Sequence, residues 1–153
     1  MRFRLCVVGR PRDAALAASI ADYEKRATRY WPLDVREVKA AAATGKDAEA
    51  TRDTESARLL AAAGDALLIV CDERGKNFTS RGFADWMQKQ REAARDVAFV
   101  IGGAFGVNDD LRRRARQLLA LAPWTLPHEL SRLVLAEQLY RAGTILKGEP
   151  YHK

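Results

Sequence analysis

The stretch VAFVIGGAFG, Val97 to Gly106, sets five apolar residues in a row against a turn containing three glycines. So short an apolar run, without polar alternation, is the mark of a strand buried on both faces. Ala66 to Cys71 (ALLIVC) repeats the pattern. Strands of this kind need helices above and below them, so these two runs decide the fold class. The glycines that follow Ile101 allow the backbone to approach a small ligand closely.

Working outward, helical and strand patterns alternate along the chain. Arg2 to Val8 reads as an opening strand, broken at Gly9 to Pro11, and Asp13 is placed to cap a helix over Ala14 to Arg29 that ends before Tyr30-Trp31-Pro32. Leu33 to Val38 is a short strand, and Ala40 to Lys46 a connector. Asp47 to Ala63 has helical composition and stops at Gly64. A loop over Asp72 to Lys76 leads to a helix from Ser80 to Ala94, and Asn108 is placed to cap another reaching Leu119. Leu121 to Leu126 is expected as a last strand, and Pro127 suits the first turn of a final helix that runs to Lys147. The expectation is an α/β domain with a mainly parallel sheet covered by helices on both faces, one domain over residues 1–153. Ligands of such sheets bind beyond the C-terminal strand ends. The loops Cys71 to Lys76, Gly102 to Gly106 and Leu121 to Pro127 occupy those places.

Apolar residues form 48% and charged residues 30% of the chain, a globular composition. No apolar run approaches the roughly 20 residues that cross a bilayer, and the first residues lack a signal-peptide pattern, so the expected compartment is the cytoplasm and no membrane is involved. Cys6 and Cys71 lie in apolar runs far apart, without ligand spacing to His or Cys, so neither a disulfide nor a metal is expected. The formal charge of +6 favours a polyanionic partner, with basic clusters at Arg10/Arg12, Lys25/Arg26/Arg29 and Arg112/Arg113/Arg114/Arg116; solvated helix faces are the alternative for any one cluster.

Familiar nucleotide motifs do not complete themselves. GGAFG misses the Gly-x-Gly-x-x-Gly spacing of a dinucleotide site, and Thr44-Gly45-Lys46 lacks the upstream glycine of a P-loop. Polar chemistry instead gathers at the C-terminal end. The only two histidines are His128, at the start of the final helix and expected as a loop organiser, and His152. Glu137 precedes Arg141 by one turn, which would hold Arg141 ready for an RNA phosphate or base. Tyr151, His152 and Lys153 together suit base stacking and phosphate contact. Leu130, Leu133, Val134, Leu135, Leu139 and Tyr140 make the final helix apolar over more than one stripe, pointing to a second chain, most simply an identical one.

The ordered set FVIGGAFG, LAPWTLPHEL, LAEQLYRAGTILKG and PYHK resembles the RlmH family, ribosomal RNA large-subunit methyltransferases of the SPOUT class, along the whole chain. The resemblance implies a C-terminal trefoil knot, a homodimer, and S-adenosylmethionine-dependent methylation at N3 of a pseudouridine in 23S ribosomal RNA, with the assembled ribosome as the expected substrate. By position it assigns cofactor contacts, largely through backbone, to Cys71, Gly102, Leu121, Ala122, Pro123, Trp124, Thr125 and Leu126. His152, helped by Tyr151 and supplied across the dimer, is expected to contact the target base or accept its proton, with Arg141 binding the nucleotide. Phe105 and Pro123-Trp124 depart from the family's commoner residues. The competing readings are a non-enzymatic RNA-binding or ribosome-associated dimer, which would show no saturable cofactor affinity, and a small nucleotide-binding regulator supported only by the Gly102 turn.

Overall fold

The computed structural model describes residues 1–42 and 47–153. Among the described residues five strands, β1 (Phe3–Val8), β2 (Leu33–Val38), β3 (Leu67–Asn77), β4 (Val97–Val100) and β5 (Gln117–Ala120), alternate with five helices. The helices are α1 (Ala14–Ala27), α2 (Ala48–Ala63), α3 (Ser80–Glu92), α4 (Asp109–Arg114) and α5 (His128–Leu146). Short polar side chains start the first four helices by accepting an otherwise unpaired amide: Asp13 from Leu16, Asp47 from Ala50, Thr79 from Gly82 and Asn108 from Leu111. The Thr44-Gly45-Lys46 segment of the expected connector lies outside the described residues.

The strands form one parallel sheet in the order β2-β1-β4-β3-β5. Strand periodicity divides the interior into two layers. Phe3, Leu5, Ile69, Val97 and Phe99 face Met87 of α3 and Leu135 and Leu139 of α5, with Ala27 of α1 and Trp31 beside them. Cys6, Val70, Ala98 and Val100 face Leu59 of α2 and Leu111 of α4 on the other side. Trp31 stands edge-on to Phe3 at 5.3 Å and donates its indole N–H to the Leu139 carbonyl at 2.8 Å, satisfying its polar atom inside the core. Connections that step toward β2 (α1, α3) use one face and those that step toward β5 (α2, α4) the other, as a single hand of crossover requires.

Three expectations are corrected. α4 ends at Arg114 rather than Leu119, the last strand is Gln117–Ala120, and Leu121 to Leu126 is a loop rather than a strand. The cause is pairing: Gln117, Leu118 and Leu119 find open backbone partners in Ile69, Val70 and Cys71 of β3. The expected loop Asp72 to Lys76 is an excursion within β3, which leaves β5 after Cys71 and rejoins it at Lys76. Only glycine fits the return, because a Cβ on Gly75 would lie 2.5 Å from the Leu118 carbonyl carbon.

α5 packs against both α1 and α3, so much of its broad apolar surface is used within the chain, while Leu130, Leu133 and Val134 stay half-buried. At Gly143 it approaches the segment after α1 so tightly that a Cβ would fall 2.2 Å from Tyr30 Cγ. Alanine has the better helix propensity by about 1 kcal/mol, but overpacking typically costs about 1–3 kcal/mol. With so short a contact the steric cost wins. Gly143→Ala is expected to lower the midpoint of urea unfolding, corresponding to a net loss of about 1–2 kcal/mol.

Candidate active site

β4, β3 and β5 lie side by side, so the chain leaving each C-terminal end meets the others. The segments after Val100, Cys71 and Ala120 enclose a cleft of about 850 Å³, within the range of small-molecule sites. Ile101, Val107, Leu119, Leu121 and Leu126 give it apolar walls. The glycine turn forms its floor, closed by the Gly106 amide donating to the Gly103 carbonyl at 3.0 Å. It is folded so tightly that a Cβ on Gly102 would come within 2.7 Å of the Gly106 carbonyl carbon. Of the eight positions assigned by resemblance to the cofactor, Cys71, Gly102, Leu121, Ala122, Trp124, Thr125 and Leu126 line this cleft; Pro123 does not.

The excursion of β3 supplies the cleft's charged wall. The Asp72 side chain is 7% exposed and takes Arg112 Nε at 2.6 Å and Arg74 Nε at 3.1 Å, while the Arg74 amide donates to it at 2.9 Å. Burial works to raise the carboxyl's pKa, but the hydrogen bonds from Arg74 and Arg112 outweigh it and hold the group well below the usual carboxylate range. Glu73 accepts from the Thr125 hydroxyl, tying the excursion to the loop after β5. Cys71 is a neutral thiol, pushed up to about 12 by burial and then by the neighbouring Asp72 charge, so it contributes backbone and bulk rather than a nucleophile. Phe105 and Trp124, 47% and 70% exposed, stand among the residues lining the cleft. His128 also lines it, from the first turn of α5.

The other singled-out residues form a second cluster. Arg141 binds Glu137 through Nη2 at 2.5 Å and Nε at 2.9 Å, meets His152 Nδ1 through Nη1 at 3.2 Å, and lies 4.8 Å from the Tyr151 ring centre. The Tyr151 hydroxyl donates to Glu137 at 3.1 Å and lies 3.2 Å from the Tyr23 hydroxyl. Burial, the Tyr23 contact and the Glu137 charge push this phenol above its ordinary range. The C-terminal residues are therefore docked, not frayed. However, none of Arg141, Tyr151 and His152 lines the cleft. With a rise of 1.5 Å per residue, Arg141 lies roughly 20 Å along α5 from His128.

Residues 1–152 match the family described as "Predicted SPOUT methyltransferase". The chain belongs to the SPOUT methyltransferase family. It is 56% identical to the ribosomal RNA large subunit methyltransferase H of Gemmatimonas aurantiaca and 47% identical to that of an Anaeromyxobacter strain, each match covering 100% of both chains. Among solved structures, a probable methylase family protein from Haemophilus influenzae Rd KW20 shares the fold with a TM-score of 0.55 at 12% identity, over 99% of this chain and 70% of that one.

In this SPOUT chain, sequence reasoning put the loop Cys71 to Lys76 at the site without singling out Asp72, Glu73 or Arg74, and read Arg112 only as part of a basic cluster. The available signal was a carboxylate set immediately after a fully apolar strand, where it must find a cation or face desolvation. Among the described residues no group of three or more His, Cys, Asp and Glu side chains gathers as a metal site, and no helix is long and apolar enough to cross a membrane. Because the folded-state pKa of Asp72 is depressed, its contribution to stability is fully present above the unfolded value of about 3.9 and lost as pH falls toward the lower folded value. Asp72→Asn is expected to cost about 2 kcal/mol at pH 7 and to flatten the acid limb of a stability profile followed by urea unfolding from about pH 6 down to about pH 2.

Proposed function

We propose that the chain is a single-domain, S-adenosylmethionine-dependent methyltransferase that modifies N3 of a pseudouridine in 23S ribosomal RNA, working as a cytoplasmic homodimer on the assembled ribosome. The observation that carries this reading is the convergence of the three strand-end segments on one cleft, in a chain of the SPOUT family with full-length relatives named as large-subunit ribosomal RNA methyltransferases. The family's trefoil knot belongs to the same reading, supported by a last strand that leaves β4, crosses β3 and pairs with its outer edge.

The cleft fits the cofactor by volume, by its apolar walls and by a turn at Gly102 that leaves backbone, not side chain, against the space. Backbone at Cys71, Gly102 and Leu121 to Leu126 would hold it, with Pro123 stiffening the loop. When bound, S-adenosylmethionine supplies a methyl group on a sulfonium. The protein's work is alignment, and orientation of two reactants can provide a large part of the acceleration without a covalent nucleophile. Arg141, Tyr151 and His152 act on the RNA. Their position at the far end of α5 supports an arrangement in which a second copy brings its C-terminal segment to the cleft, so that Arg141 binds the nucleotide and His152, backed by Tyr151, touches the target base.

Calorimetric titration with S-adenosylmethionine should give saturable binding, and ribosomes lacking the modification should accept one methyl group at a pseudouridine. His152→Ala should leave that binding within about twofold and lower turnover by about a hundredfold or more. Unchanged turnover would remove His152 from the site. RNA binding with no cofactor affinity would favour the non-enzymatic scaffold instead.

A further inference from the structure

The contact between Arg141 and His152 fixes more than position. A guanidinium carries five N–H donors and no acceptor, and it remains charged at any pH the protein meets. At 3.2 Å from Arg141 Nη1, His152 Nδ1 can therefore only accept, and its lone pair must be free of a proton. The neutral ring then carries its single proton on Nε2. Among the described residues Nε2 makes no hydrogen bond within the chain, and the ring is half-exposed, so the outward face of His152 is an N–H donor.

Arg141 cannot easily turn away from this role. Both atoms of its other edge are held by Glu137 Oε1, and its plane lies against Tyr151, whose own hydroxyl is bound to the same carboxylate oxygen. Tyr23 steadies that hydroxyl from α1, and Tyr140 packs edge-on to the Tyr151 ring at 4.7 Å. The order of dependence runs from Glu137 to Arg141 to the histidine ring.

We propose that Glu137 is a positioning residue and that Arg141, besides binding the nucleotide, locks His152 in the Nε2–H tautomer, so that His152 serves as a hydrogen-bond donor to the RNA base and not as the acceptor of its proton. The tautomer stands on the contact alone; its catalytic consequence rests on the function proposed above. There, the target nitrogen lies between two carbonyl groups, and donation from Nε2 to one of those oxygens stabilises the negative charge that develops as the N–H proton departs. The proton goes to water. The nitrogen's electron pair then forms the N–CH3 bond while the S–CH3 pair returns to sulfur, leaving a neutral thioether. Charge balances without a basic imidazole.

The presence of only two histidines makes the test direct. The full-length protein would be labelled with 15N-histidine and two-bond 1H–15N correlations recorded at neutral pH, with His128→Asn used to assign the signals. The expected result is a single Nε2–H pattern for His152, with widely separated nitrogen shifts. Arg141→Met should replace it by the averaged pattern of exchanging tautomers, and Arg141→Lys, which keeps a donor, should retain part of the Nε2–H signature. A merely structural role for Arg141 would not move the nitrogen shifts in this way. An Nδ1–H pattern, or averaging in the unaltered protein, overturns the proposal even if Arg141→Met fails to fold. Neither outcome depends on methyl transfer, so failure of the proposed reaction would be seen separately in the ribosome assay.

Discussion

The pairing of β5 with the outer edge of β3 is the constraint on which the site depends. β4 is followed in the chain by α4 and β5, yet β4 lies between β1 and β3, and the only open edge next to β3 is on its far side. The chain must therefore cross β3 beneath α4 and return in parallel register, Ile69 to Gln117 through Cys71 to Leu119. That crossing sets the exits of three strands side by side. The cleft is the space enclosed when Gly102 to Gly106, the β3 excursion and Leu121 to Leu126 leave neighbouring strands at the same end.

Much of this was legible in the sequence, for a reason that differs by element. β1, β4 and the start of β3 are short, largely apolar runs flanked by breakers, as the buried centre of a parallel sheet demands, while β2, LDVREV at the sheet edge, was legible from its β formers and the preceding Pro32. Asp13, Asn108 and Gly64 marked helix ends because capping is a local interaction. β5 was not legible. Gln117-Leu-Leu-Ala120 continues an arginine-rich helical pattern without a break, and only the waiting edge of β3, distant in sequence, makes it a strand. The apolar loop after it has the composition of a strand, but Pro123 lacks an N–H and β3 ends opposite Ala120, so Leu121 to Leu126 has no ladder to join.

Charge shows the same division between local and distant causes. The run Arg112 to Arg114 reads as a polyanion-binding patch, yet Arg112 is held by Asp72 and Asp109, and Arg113 and Arg114 by Asp110. The helix carries its own counter-charge, and one of its cations is drawn into the cleft wall. Arg132 is buried against Glu24 at 2.7 Å and Glu37 at 3.1 Å. Paired this way it joins α5 to α1 and β2. Buried pairs of this kind add little net stability over apolar packing, but removing one member leaves an uncompensated charge. What sequence could foresee was the i to i+4 pairing of Glu137 with Arg141, because both partners lie on one helix.

The geometry of α5 then decides how the functional parts can meet. The helix begins at the cleft and runs back over the sheet, so its start and the C-terminal cluster cannot serve the same cleft within one chain. In the proposed homodimer a two-fold axis removes the difficulty, since a contact from residue i to residue j is matched by one from j to i. A C-terminal segment that reaches the partner's cleft implies the reciprocal reach, and each dimer would hold two composite sites. In such an arrangement the lock on His152 has a clear use. Its ring must enter the partner's cleft already oriented, and the clamp of Glu137, Arg141 and Tyr151 is complete within its own chain before any partner or RNA arrives.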